Sequence, residues 1–131
     1  MRERLQRFAA DTPRRELWPH EVDRLTRECE RWRRAVTPAD ARACFVVDED
    51  DERTRRWLRD VLGPRCAEAS TVRLVWPAHG FGIETSWSDF VADHEKLWLP
   101  SSDDVWVVPL DLSWFLEMDH EERFLVWVED D

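Results

Sequence analysis

Apolar residues recur along this chain in two periods. After Trp18-Pro19, the residues Val22, Leu25, Cys29, Trp32 and Val36 return at spacings of three and four, with charge between them. One narrow stripe of that kind predicts an amphipathic helix. Pro19 suits its first turn, where a missing N–H loses no intrahelical bond. A second helix is predicted after Asp50, Asp51 and Glu52, acids that a helix N-terminus favours. Trp57, Leu58, Val61 and Leu62 form its inner face, and Gly63-Pro64 ends it, with Gly63 as a left-handed cap. A third, shorter helix is expected from Ser86 or Ser88 to Glu95, with Phe90 and Val91 inward. Leu5, Phe8 and Ala9 predict a short helical arm within residues 1–12.

Between and after the helices the apolar runs shorten and take on strand character. Strands are expected over residues 43–47, 71–76, 104–109, 113–118 and 123–128. The first two flank the second helix and suggest a βαβ unit. The segment "PAHGFGIE" reads as a loop whose bend carries Phe81 to the core. In the fourth strand Trp114, Leu116 and Met118 share one side; Phe115, Glu117 and Asp119 share the other. With "DHEE", Asp119 to Glu122, as a hairpin loop, Trp114 would face Trp127 and Leu116 would face Leu125. The expectation is a single α+β domain over 1–131. Its mixed sheet of about five strands ends in a C-terminal antiparallel meander, packed by two or three helices, with the other side of the meander partly wet and acidic.

Composition narrows what such a domain does. At 131 residues the chain can bury a core without staples. Nine Trp and six Phe supply much of that core. The net charge of −10 argues against nucleic acid, whose phosphates call for clustered Lys and Arg. No apolar run reaches the roughly 20 residues of a membrane span. The N-terminus lacks the apolar centre of a signal peptide, so cytoplasmic residence is expected. Arginine outnumbers lysine 18 to one, a usage that suggests a GC-rich bacterial genome. Cys29, Cys44 and Cys66 are odd in number and widely spaced, and read as buried free thiols.

The charge is divided along the chain. Residues 1–66 hold 16 Arg against 14 acids; residues 67–131 hold 15 acids against three cations, a net of −12. An imbalance of this kind points to a partner more than to a fold. The stretch "PSSDDVWVV", Pro100 to Val108, opens the acidic half. Asp103 and Asp104 read as a turn feeding a strand. Adjacent strand residues point to opposite faces, so these two acids would need Asp111, Glu117 or Asp119 to hold a divalent ion. His120, among acids, is the most enzyme-like histidine, although a hairpin loop excludes no water. His79 is a loop histidine by default. Trp87 and Trp98 have no clear inward assignment and could be exposed anchors. The run "DEDDE", Asp48 to Glu52, is explained by helix capping, but five acids exceed what a cap requires.

From Leu97 onward, "LWLPSSDDVWVVPLDLSWFLEMDHEE" is similar to a small bacterial family without assigned function. Its members share a P-S-S-D-D-x-W strand followed by W-x-x-E-x-D-H-E. More distantly, the same strands resemble the C-terminal part of the SMI1/KNR4-like superfamily. Many members of that superfamily are immunity proteins that neutralise bacterial toxins. The resemblance covers about a quarter of the chain and implies no catalytic residue.

The reading favoured here is a binding module with no cofactor or metal, meeting a basic protein partner through Asp103, Asp104, Asp111, Glu117, Asp119, Glu121 and Glu122, with Trp98 as apolar anchor. An immunity protein against a cationic toxin is its concrete form. The alternatives are a small metal-dependent hydrolase using Asp103, Asp104, Glu117, Asp119 and His120, and a structural subunit with no ligand.

Overall fold

The computed structural model describes residues 14–98 and 104–129, so the expected arm over 1–12 and Asp103 lie outside the described residues. The strands are β1 (Arg15–Glu16), β2 (Ala43–Val46), β3 (Thr71–Trp76), β4 (Phe81–Ser86), β5 (Val105–Pro109), β6 (Trp114–Met118) and β7 (Arg123–Val128). The helices are α1 (Pro19–Ala35), α2 (Asp51–Leu62) and α3 (Trp87–Leu97). The seven strands form one sheet in the order β1-β4-β3-β5-β6-β7-β2, with every neighbouring pair antiparallel. The α+β class and the C-terminal meander match the sequence reading. The expected mixed sheet of about five strands is corrected to seven, all antiparallel.

β2 and β3 run parallel, but they do not pair as a compact βαβ unit would: β2 pairs with β7 at one edge, and β7, β6 and β5 stand between it and β3. α2 carries the chain across the face instead of joining parallel neighbours. The glycine-containing segment read as a loop is in part β4. Phe81 does reach the core, as expected, at 1% exposure. Gly80 supplies the left-handed φ of 59° that turns β3 into β4. Gly82 leaves room for Leu17: a Cβ there would stand 3.0 Å from both Leu17 Cδ1 and the Leu74 carbonyl oxygen.

Helices cover both faces of the sheet. Leu17 and the α1 residues Val22, Leu25 and Cys29 bury Val75, Trp106, Val108, Phe115, Leu125 and Trp127 on one face. α2 and α3 bury Leu74, Trp76, Ile83, Val107, Trp114, Leu116, Phe124 and Val126 on the other. The expected wet, acidic side of the meander is therefore dry. The strands show why: β6 is apolar at Trp114, Phe115, Leu116 and Met118, which supplies both faces.

The β6–β7 hairpin is one residue out of the expected register. Phe115 faces Trp127 and Leu116 faces Val126, so Trp114 and Trp127 lie on opposite faces of the sheet. Asp119 N–H donates to the Arg123 carbonyl, and Glu122 takes a left-handed φ of 60°. The loop thus contains three residues, not four, and a one-residue slip exchanges the faces of every side chain. Gly63 is also not the left-handed cap expected of it: at φ −53° it stays right-handed and opens the 3₁₀ turn Gly63–Arg65.

Candidate interaction site

β2 runs antiparallel to β7, so the chain leaving β2 arrives beside the turn that enters β7. Val47 N–H donates to the Glu122 carbonyl at 2.9 Å, joining the two segments. Asp48 to Glu52 therefore lies next to Asp119 to Glu122. Asp104 joins them because β5 pairs with β6 with Val105 opposite Met118. Both the backbone N–H and Nδ1 of His120 lie 2.9 Å from Asp104 Oδ1. The two acidic runs, some 70 residues apart in sequence, thus meet at one end of the sheet.

Several of these acids hold the local structure. Asp50 caps α2 by accepting from Arg53 N–H at 3.1 Å. Asp48 accepts from the Asp50 N–H and pairs with Arg53 at 2.9 Å. Asp119, only 4% exposed, accepts from the N–H groups of Glu121 and Arg123 and binds Arg123 Nε at 2.6 Å. Arg123 also reaches Glu121 at 3.0 Å. The Asp119 carboxylate raises the Arg123 pKa, and the Asp104 carboxylate raises that of His120. Glu52 pairs with Arg55 and Arg59. With those pairs made, nine carboxylates among Asp48–Glu52, Asp104 and Asp119–Glu122 stand against four arginines: Arg53, Arg55, Arg59 and Arg123. Glu49, Glu121 and Glu122 are exposed to solvent.

The residues expected to make the contact surface separate accordingly. Asp104, Asp119, Glu121 and Glu122 share this end. Asp111 lies at the opposite end of β5, roughly 17 Å of strand away. There its carboxylate accepts from Ser113 N–H at 3.0 Å, and hydrogen bonds from Ser113 lower its pKa. Glu117 is 5% exposed beneath α1, bound by Trp106 Nε1 at 2.8 Å and Arg33 Nε at 3.0 Å. Trp98 is not an exposed anchor: it is 3% exposed, edge-on to Phe124 with centroids 5.1 Å apart. Trp87, also unassigned from sequence, is 2% exposed. The two indoles flank α3 on the same face of the sheet: Trp87, its first residue, packs edge-on to Trp114 of β6 with centroids 5.9 Å apart, and Trp98, just past its end, packs on Phe124 of β7.

The acids that sequence reasoning left out of the surface are Asp48 to Glu52. Their excess over the needs of a cap was the available signal. Placing them required knowing that β2 pairs with β7.

The chemistry at this end is limited. His120 has a carboxylate partner, but its side chain is 61% exposed and water reaches it freely. Among the described residues, no three His, Cys, Asp or Glu side chains are grouped to hold a metal ion. A cleft of about 480 Å³ opens elsewhere, between α1 and the β5–β6 turn, lined by Glu21, Arg24, Glu28 and Arg73. Its charges are matched internally. Arg24 pairs with Glu28, and Arg73 pairs with Glu84. Hydrogen bonds from Arg15 and the Trp18 N–H hold Glu21 down at about 2. No helix among the described residues is long and apolar enough to cross a membrane. No family model, curated protein or solved structure matches the chain.

Proposed function

We propose that this chain is a non-catalytic binding module that docks a basic protein partner through the acidic end of its sheet. The observation that carries the reading is the Val47–Glu122 hydrogen bond, which gathers two separate acidic runs into one surface. Like charges crowded in this way oppose folding, and here fewer arginines than carboxylates offset them. A complementary cationic surface would gain both association rate and selectivity from such a field. In the form suggested by the resemblance, the partner is a cationic toxin and the chain its immunity protein.

The contact residues under this reading are Glu49, Asp51, Glu121 and Glu122, with Asp104 at the margin. Glu117 and Asp119 support the surface from beneath. The test is capture of partners from a lysate of the source organism, followed by binding kinetics on the captured protein. Reversing Glu49, Asp51, Glu121 and Glu122 to Lys is expected to slow association by at least roughly tenfold. Raising salt from about 50 to about 500 mM is expected to do much the same to the parent chain. A partner indifferent to both changes would remove the proposal. Loss of protection by the reversed variant in cells expressing such a toxin would support the immunity form.

A further inference from the structure

We propose that the outer edge of β2 joins two copies of this chain in an antiparallel, two-fold dimer. β2 ends the sheet, and among the described residues no strand pairs with its outer side. Val47 bonds to Glu122, and Phe45 and Ala43 face Phe124 and Val126. The alternation of an antiparallel ladder then turns the N–H and C=O groups of Cys44 and Val46 outward. Edges left open in natural proteins are commonly blunted by Lys, Pro or an inward charge. This edge is short and flanked by the charges of Arg42 and Asp48, but between them it presents a thiol at Cys44 and an isopropyl group at Val46 that is 72% exposed.

The side chains on this edge identify the occupant. Arg42, Cys44, Val46 and Asp48 alternate along it, and all four are exposed. Reverse this row against itself, with Phe45 opposite its own counterpart. Arg42 then meets Asp48 twice, and Cys44 meets Val46 twice. The same register lets Cys44 and Val46 of opposing copies exchange backbone hydrogen bonds; Arg42 and Asp48 flank β2, and the Arg42 N–H turns inward to the Val126 carbonyl, so at those two positions only the side chains would meet. Phe45, stacked on Trp57 at 5.2 Å, would come beside its symmetry mate and extend the apolar cluster across the axis. Asp40 and Asp50 fall beyond the ladder, and each is bonded locally, to Thr37 and to the Arg53 N–H; Asp48 holds the Asp50 N–H and Arg53 in the same way, and in the dimer its exposed carboxylate would be shared between Arg53 and Arg42 of the other copy. A uniformly basic strand would meet Arg42 as a like charge. A second copy supplies the required reversed order, which is what an isologous interface demands. The two acidic ends would then point away from each other, and both would stay open.

Sedimentation equilibrium of the full chain in about 150 mM salt, where screening limits the repulsion between two chains of net −10, reads the association. Arg42→Asp and Asp48→Arg are each expected to weaken the dimer roughly tenfold or more, since each turns two attractive cross-strand pairs into repulsive ones. Mixed in equal amounts, the two variants are expected to recover dimer, because each then meets its complement; recovery also shows that both fold. Val46→Cys is expected to cross-link through Cys44 of the other copy faster than the parent chain does. A parent chain that stays monomeric at the highest attainable concentration overturns the proposal. So does a dimer that neither charge change weakens, or a mixture that fails to recover it.

Discussion

The buried pair beneath α1 offers the sharpest test of the packing. Glu117 is 5% exposed and takes one hydrogen bond from the Trp106 indole and one from Arg33. Arg33→Met keeps the aliphatic stem and removes the charge. Breaking a fully buried pair costs about 3–5 kcal/mol. The Arg33 side chain is 35% exposed, so solvent compensates part of this, and about 2–3 kcal/mol is expected. That figure includes the loss of the guanidinium from the Trp127 face, 5.9 Å away. Glu117→Gln keeps an acceptor for the indole and is expected to cost about 1 kcal/mol. The double variant is where the argument stands or falls. With the carboxylate gone, the guanidinium keeps only its place over the Trp127 ring. The pair of changes should therefore cost about 1–1.5 kcal/mol, well short of the sum of the singles. Urea unfolding followed by tryptophan fluorescence, with the slope unchanged, measures all three. An Arg33→Met effect below about 0.5 kcal/mol, or additive singles, would refute the picture of a desolvated, mutually dependent pair.

Four further outcomes are expected. Trp98→Ala should destabilise by about 3–5 kcal/mol in the same unfolding assay, because the buried indole fills the space over Phe124. Gly82→Ala should cost about 1–3 kcal/mol, since the new methyl meets the Leu74 carbonyl at 3.0 Å; a neutral result would show that β1 can move aside. Burial lowers the pKa of His94, which stays neutral in the fold while the unfolded chain binds a proton near its ordinary value. Stability should thus fall as pH drops from about 7 through that range, and a pH series on His94→Gln should be flatter. A thiol reagent should modify Cys44 at once and reach Cys29 and Cys66 only as the chain unfolds: burial pushes Cys29 up to about 12 and raises Cys66, whereas Cys44 is exposed. Equal rates at all three would contradict the burial assigned to the first and third.

Periodicity carried most of the local structure. The stripe from Val22 to Val36 corresponds to α1, and Asp50 and Ser86 cap α2 and α3 close to where their neighbours' polarity placed the helix starts. What local pattern does not carry is pairing. The sequence of β2 says "strand" but not "edge, beside β7". That one fact decides whether Asp48 to Glu52 belongs with the β6–β7 turn. It also decides that Cys44, expected to be buried like Cys29 and Cys66, is exposed. β1 is two residues long and Gly82 interrupts the apolar signal of β4, so the edge they form left little trace. Trp98 was misplaced because an indole at the end of a helix reads the same whether the chain beyond turns inward or outward.

The acids of this protein divide by solvent access, and that division bears on how the surface could have arisen. Asp50 and Asp119 each satisfy backbone N–H groups that would otherwise be left without partners, so any sequence adopting these two turns needs acceptors at those positions. Glu49 and Glu122 meet no such need, and Glu121 only shares with Asp119 the one guanidinium of Arg123. Glu122 even occupies a left-handed position where Gly or Asn would be less strained. Turn formation explains the first group and leaves the second unexplained. A fold selected for stability alone would replace the second group with neutral or basic residues, because they repel one another across the Val47–Glu122 junction. Their presence beside the structural acids is what the docking reading accounts for through a partner's charge, and what a ligand-free subunit accounts for only through solubility; reversing them separates the two, since solubility alone leaves no partner to lose.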